Sequence, residues 1–295
     1  MRDFSNIAVK IARIADRQFG HVTRQQLLRL GVPSATIAHW ASRNGRLVTV
    51  HAGVYAVGHQ QRTAIAQAMA AVLACGDQAV LSHDSAAALW GIRTWPTAPE
   101  VSAPHHRRRP AIRTHRTQTL TRRDIRRHRN LRVTSPSRTL LDLQARLTDR
   151  QLVRAVNDLR LAKHLRATEL HRLLTASPRI HRLIDPHQNP TRSPAEDAFL
   201  EFCRTYRVPT PKVNITLFGR ERDAVFEAEK VIIEIDGYTF HNNHDSFESD
   251  RERDTDAAEH GYLTVRLTTT RLSQHPAHEA ARLRRILEHR RREAA

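Results

Sequence analysis

The chain has 295 residues, 40% hydrophobic and 26% charged, with 48 Lys+Arg against 30 Asp+Glu and a formal net charge of +18. That length suits two or three domains, and two cysteines are too few for a disulfide framework or a four-cysteine zinc site. The start has neither a basic n-region nor an apolar h-region, and the longest apolar run, around Ala64 to Cys75, contains Gln67 and is too short to span a bilayer, so a cytoplasmic chain with no membrane partner is expected.

The charge is uneven. Residues 1–190 carry 31 Lys+Arg against 11 Asp+Glu, a net +20, whereas residues 191–295 carry 17 against 19, a net −2. A basic body fits a polyanionic partner, because Lys and Arg that release counterions supply most non-specific nucleic-acid affinity. Only four of the 48 basic residues are Lys, a skew that a GC-rich coding sequence also produces, so charge alone does not identify the partner.

In chain order, Ile7, Ile11 and Ile14 mark a first amphipathic helix. Thr23 is placed to cap a second, with Leu27, Leu28 and Leu30, and Gly31-Val32-Pro33 makes a tight connection. Ser34 is placed to cap a third, running to about Arg43, which buries Ile37 and Ala41 with help from Trp40 and leaves Ser34, Thr36, His39 and Arg43 outside. RLVTVHAGVYAVG, residues 46–58, reads as two alternating strands around Ala52-Gly53. Three helices and a hairpin over residues 1–60 are the winged helix-turn-helix plan, in which the last helix enters a major groove. Ser34, Thr36, His39, Arg43 and Arg46 are then the candidate DNA contacts. Through GHVTRQQLLRLGV and GRLVTVHAGVYAVG the region resembles the antitoxin domain of the AbiEi type.

Residues 61–185 are expected to form a mixed α/β middle. LSHDSAAALWGI and VTSPSRTLLDL resemble the remainder of that antitoxin family, which implies a cognate toxin as a partner. Ser82-His83-Asp84 is not a triad, because triads depend on convergence in space rather than consecutive letters. His105 to Arg109 and the Arg-rich run from Arg122 to Arg132 read as solvated loops or phosphate contacts. Arg179 to Arg192, with Pro186 and Pro190, reads as a linker into a last domain, residues 186–295.

That domain contains the strand VIIEID, residues 231–236. Side chains alternate along a strand, so Val231, Ile233 and Ile235 share one face and Ile232, Glu234 and Asp236 the other. A short hairpin within residues 226–230, centred between Ala228 and Glu229, sets Asp223 opposite Glu234. Opposed side chains lie about 5 Å apart, where two carboxylates repel by about 3 kcal/mol at an effective dielectric of 20. A divalent cation would offset this, since Mg²⁺ accepts one or two carboxylates and substrate phosphate oxygens. Gly237 breaks the strand and His241 follows. Asp245 and Glu248 are spaced as a capping box for a charged helix over about 246–259, Gly261 ends that helix, and a strand follows in which Leu263, Val265 and Leu267 alternate against Thr264 and Arg266.

Asp223, then Glu234-Ile235-Asp236-Gly237, His241, Asp250-Arg251-Glu252-Arg253-Asp254 and Gly261-Tyr262 resemble a bacterial domain family of unknown function within the PD-(D/E)xK nucleases, similar to the very-short-patch-repair endonucleases. The resemblance spans about Ser193 to the C-terminus and implies a restriction-endonuclease-like αβββαβ core, so that the whole chain would be an α+β multidomain protein. It implies an Mg²⁺-dependent (or Mn²⁺-dependent) endonuclease, a hydrolase in which Asp223, Glu234 and Glu196 hold the metal. Asp236 stands where Lys is usual, and Asp236 or His241 would deprotonate the attacking water. The acids then have no cation of their own, and Arg251, ahead of Arg253, is the expected source of one. DNA is the expected substrate, with RNA left open because neither motif reads the sugar. The alternative is a non-enzymatic DNA-binding antitoxin or repressor on a nuclease scaffold.

Overall fold

The computed structural model describes residues 2–42, 45–105, 109–236 and 254–293. The chain forms two compact units, Met1–Arg146 and Leu147–Ala295. No described helix is long and apolar enough to cross a membrane.

The first unit begins with α1 (Arg2–Arg17), β1 (His21–Thr23), α2 (Arg24–Arg29), α3 (Ser34–Trp40), β2 (Leu47–His51) and β3 (Val54–Val57). β3 lies between β1 and β2, antiparallel to both. β1 escapes sequence reading because three residues, His-Val-Thr, are too short to show a period. The expected cap of α2 is present: Thr23 Oγ1 accepts the Gln26 N–H (3.1 Å) and Gln26 Oε1 accepts the Thr23 N–H (2.8 Å). The expected cap of α3 is not. Pro33 occupies the N-cap position, so Ser34 is the first helical residue, and its hydroxyl accepts from Arg24 Nη2 (2.8 Å). α3 also ends at Trp40, short of Arg43. The wing turns at Ala52-Gly53, where Gly53 has φ +78°, a conformation that costs glycine nothing. Ile11, Ala15, Val22, Leu27, Val32, Ile37, Leu47 and Tyr55 form the core beneath these elements.

The unit continues with α4 (Ala64–Cys75), β4 (Val80–Leu81), α5 (His83–Leu89), β5 (Glu100–Ala103), β6 (Arg113–Arg116), β7 (Ile125–His128), β8 (Leu131–Thr134) and α6 (Pro136–Leu143). The five strands form a mixed sheet of order β6-β5-β4-β8-β7, with β5 parallel to β6 and β4 parallel to β8. α4 packs against strands of both sheets, which explains why its alanine-rich sequence is buried nearly all round.

The second unit comprises α7 (Asp149–Leu161), α8 (Ala167–Ala176), α9 (Pro178–Leu183), α10 (Pro194–Thr205), β9 (Lys212–Leu217), β10 (Arg220–Phe226), β11 (Val231–Asp236), α11 (described over 254–259), β12 (Leu263–Thr268), α12 (Thr269–Gln274) and α13 (Pro276–Glu293). The start of the expected linker is therefore structured. Ser177 Oγ caps α9 by accepting the Ile180 N–H (3.2 Å), Pro178 takes the first helical position and Ile180 is fully buried, because Pro there signals a helix start as readily as a break. α7, α8 and α9, expected in the middle of the chain, group with this unit. The sheet order is β12-β11-β10-β9, antiparallel except for the β11–β12 pair. Val231, Ile233 and Ile235 face one core with Phe199, Phe202, Leu283 and Leu287, while Ile232 faces a smaller cluster with Val225, Ala257 and Tyr262, so the expected alternation holds.

Two buried groups give the fold chemical signatures. Cys203 is buried and its thiol is pushed up to about 12 by burial, so it is inert in the native state. His21 is 1% exposed and donates from Nδ1 to the Gln18 carbonyl (3.1 Å). Burial lowers its pKa, and the Gln18 and Phe19 carbonyls only partly oppose that shift. The unfolded chain then takes up a proton near pH 6.5 before the folded one does. This stabilisation is complete above about pH 6.5 and is lost as pH falls toward the lower folded value. The melting temperature should drop between about pH 7.5 and about pH 5.5, and His21→Gln should flatten that slope. An unchanged slope would place the titrating group elsewhere.

Candidate functional site

The winged-helix surface is the first site the residues assemble. Ser34 and His39 on α3 are exposed, Thr36 is half-buried, and Arg46 is exposed with its guanidinium over the Trp40 ring, 5.2 Å from the centroid. Arg43 lies outside the described residues. Arg24, at the start of α2, joins this surface through Ser34. It was missed by reasoning from α3 alone, but a signal exists: between Asp16 and Asp77 the chain contains no Asp or Glu, and six arginines. Of these arginines Arg29 meets an acid from beyond the stretch, Asp77 (3.9 Å), but no acid lies within it, a balance that favours attraction of a polyanion.

The second site lies on the sheet of the C-terminal unit. β10 and β11 pair as Ala224↔Ile233, Val225↔Ile232 and Phe226↔Val231, the register expected from the hairpin, which points Asp223 at the level of Glu234. The strands then depart from regularity. Val213 on β9 faces the Phe199 core, yet Ile215, two residues on, packs in the opposite cluster. Alternation requires residues two apart to share a face, so the strand turns over at Asn214, which has φ +50°. β10 turns over with it, because Ala224 pairs with Val213 while Arg222 pairs with Ile215. Arg222 consequently joins the face of Ile232 and Glu234. It is 1% exposed and its Nη1 lies 3.1 Å from Glu234 Oε1. At the switch, Asp223 Oδ2 accepts the Ile235 N–H (2.8 Å).

This geometry changes several expectations. The acids have a cation of their own, Arg222, which regular alternation would have put on the opposite face. Glu196 closes a turn: its Oε2 accepts the Arg192 N–H (2.9 Å) and Asn214 Nδ2 (2.6 Å), and Asn214 Nδ2 also donates to the Pro190 carbonyl (3.0 Å). Asp236 is exposed beside Thr268 of β12. Arg266 on β12 stands opposite Glu234 and pairs with Asp254 (2.9 Å). His241, Arg251 and Arg253 lie outside the described residues.

A divalent cation at Asp223 and Glu234 would have to share these carboxylates with the groups they already meet. Asp223 is engaged by a backbone N–H and Glu234 by a buried guanidinium. Among the described residues, no group of three His, Cys, Asp or Glu ligand atoms within 4.8 Å of one another includes Asp223, Glu234, Asp236 or Glu196.

The five-stranded sheet builds a third constellation. Glu100 on β5 is fully buried and its carboxylate meets His115 Nε2 (2.7 Å) and Arg146 Nη1 (3.0 and 3.2 Å). The His115 and His83 rings stack, with centroids 3.7 Å apart. His83 Nδ1 lies 3.0 Å from Ser82 Oγ, which accepts from Ser102 Oγ (2.8 Å). Burial would raise the Glu100 pKa, but the bonds from His115 and Arg146 outweigh it and hold the carboxyl at about 2. Burial, then the neighbouring His115 and Arg146, push His83 down to about 4. Ser82 and His83 do touch, but Asp84 turns to Arg93 (2.7 Å) and Arg146 (3.1 Å), so the consecutive letters form no triad. Glu100 and His115 arrive from the consecutive strands β5 and β6, which are paired in parallel, a tertiary pairing that no local spacing announces.

Residues 9–58, from α1 to the end of the wing, match the family described as "Transcriptional regulator, AbiEi antitoxin". An antitoxin-like transcriptional-regulator domain therefore occupies the start of the chain. No curated protein matches the chain.

The pairing of Arg222 with Glu234 is directly measurable. Removing one partner of a buried pair leaves an uncompensated charge and typically costs about 3–5 kcal/mol, so Arg222→Met should lower stability to chemical denaturation by an amount of that order. Adding Glu234→Leu should recover most of the loss. A single variant as stable as the parent would contradict the pairing.

Proposed function

We propose that the protein is a DNA-binding regulator of the antitoxin type that reads duplex DNA with its winged helix. The observation that carries this reading is the acid-free stretch between Asp16 and Asp77, which coincides with the exposed face of α3 and with the family match over residues 9–58. α3 enters the major groove, where Thr36 and His39 meet base edges. Arg24 and Arg46 flank it and contact phosphates, which fixes register without reading sequence. The family description supports a cognate toxin as the second partner, and DNA in the cytoplasm as the site of action.

A second reading, an Mg²⁺-dependent endonuclease, is favoured by one specific observation. In the C-terminal unit the order α10, β9, β10, β11, α11, β12 is the αβββαβ order that the nuclease resemblance implies, and Asp223 and Glu234 meet on adjacent strands of it. For activity, Arg222 would have to release Glu234 to the ion.

Fluorescence anisotropy of the full chain on duplex DNA tests the first reading. Affinity should fall steeply with salt, and Arg24→Ala and Arg46→Ala should each reduce the salt slope by about 1. His39→Ala should instead relax sequence preference. Absence of DNA binding at low salt would overturn the reading. Supercoiled plasmid incubated with Mg²⁺ or EDTA separates the two: the regulator leaves it intact, whereas Mg²⁺-dependent nicking that disappears in Asp223→Ala and Glu234→Ala establishes the nuclease.

A further inference from the structure

We propose that His83, Glu100 and His115 form a binding site for a divalent transition-metal cation of the zinc class. One nitrogen from each imidazole and one Glu100 oxygen already lie within 4.8 Å of one another. It is the one such group among the described residues, and it lies in the first unit, outside both sites described above. Two imidazoles and a carboxylate are a donor set suited to Zn²⁺, Co²⁺ or Ni²⁺, whereas Mg²⁺ prefers oxygen donors alone.

The surroundings have the features of a supported site. Ser82 Oγ engages His83 Nδ1, and the Ser102 hydroxyl orients Ser82 in turn. This leaves Nε2 of His83 for the ion, a division of labour common to metal-bound histidines. Glu100 is anchored through its own backbone, where its N–H donates to Ser85 Oγ (2.8 Å) and its carbonyl accepts from the Ser82 N–H (2.9 Å). The two rings are stacked at 3.7 Å and 21°, so they tilt apart on binding to bring both in-plane lone pairs onto one ion beside Glu100. His115 is 28% exposed at its side chain, so an ion can enter from solvent while Glu100 stays buried.

Two changes accompany binding. The imidazole of His115 takes the tautomer with its proton on Nδ1, which frees Nε2 for the ion, and Arg146 leaves Glu100. Arg146 has a second partner in place, since the same Nη1 lies 3.1 Å from Asp84 Oδ2, so it can swing to Asp84 without losing its counter-ion. In the structure as it stands, Arg146 stabilises Glu100 in the way the ion would.

Titration of Co²⁺ into the full-length protein, followed by its visible absorption, tests the site. The expected result is a ligand-field spectrum that saturates at one ion per chain and is displaced by Zn²⁺. It should be lost in both His83→Gln and His115→Gln, and weakened about 10-fold in Ser82→Ala, a loss in the range for an outer-shell partner. Arg146→Gln keeps all three ligands and removes the nearer of the two guanidinium groups on Glu100, the other being that of Arg113 (3.9 Å), so it should tighten Co²⁺ by about 10-fold, in the range for an outer-shell change, which serves as the decisive variant if either histidine substitution fails to fold. Absence of a saturable spectrum, a spectrum retained in both histidine variants, or Co²⁺ binding in Arg146→Gln no tighter than in the parent would overturn the proposal.

Discussion

A charge that leaves water must meet an opposite charge or hydrogen-bond donors, and in this protein arginine fills that role repeatedly. Glu100 meets Arg146, Asp142 meets Arg138 (2.8 Å), Asp197 meets Arg154 (3.1 Å), Glu234 meets Arg222, Glu279 meets Arg271 (2.6 Å) and Glu229 meets Arg291. An uncompensated buried carboxylate would cost several kcal/mol. Arginine suits the task because its guanidinium stays charged and presents a planar fork of donors that matches a carboxylate. The arginine excess therefore has two uses. Some guanidinium groups are internal counter-ions, and those of the winged helix, where no acid is near in sequence, are left to face solvent.

This division explains why net charge was an incomplete guide. Residues 191–295 are close to neutral because they hold 17 Lys+Arg against 19 Asp+Glu, and several of these charges meet inside the fold. The first 190 residues are basic, but the Arg146 that tops the Glu100 cluster belongs to the internal class and contributes little to an external field. Exposed arginines remain on α2 and the wing, in the stretch that matches the antitoxin family, and also around β6 and β7, where Arg113, Arg116, Arg122, Arg123, Arg126, Arg127 and Arg129 face solvent.

Much of the framework was legible. Period 3.6 in α1, the Thr23 cap, the turn at Ala52-Gly53, the hairpin register that sets Asp223 at Glu234 and, in β12, the burial of Val265 and Leu267 on either side of exposed Arg266 follow from local rules that the tertiary structure leaves in place, whereas Leu263 at the start of β12 is exposed. The candidate sites were legible only in part. A strand that turns over at Asn214 breaks the period on which the assignment of faces rests; asparagine tolerates φ +50° better than most non-glycine residues, but that tolerance does not announce a reversal within a strand, and the bonds to Glu196 and Pro190 hold Asn214 there. Arg222 was thereby hidden in plain view, one residue from Asp223. Glu196 looked like a ligand because its type and position fitted one, whereas its carboxylate is spent on the turn before α10. The His83, Glu100 and His115 group depends on parallel pairing of β5 with β6, a long-range contact that spacing cannot report.

The central claim for the C-terminal unit is that a buried guanidinium, in place of a metal ion, balances the Glu234 carboxylate beside Asp223. Calorimetric melting of the full chain in millimolar Mg²⁺ and in EDTA tests it most directly. If Arg222 supplies the positive charge, the two melting curves superimpose. A melting temperature several degrees higher in Mg²⁺, with the difference removed by Asp223→Asn, would show that the ion holds the pair and would contradict the account.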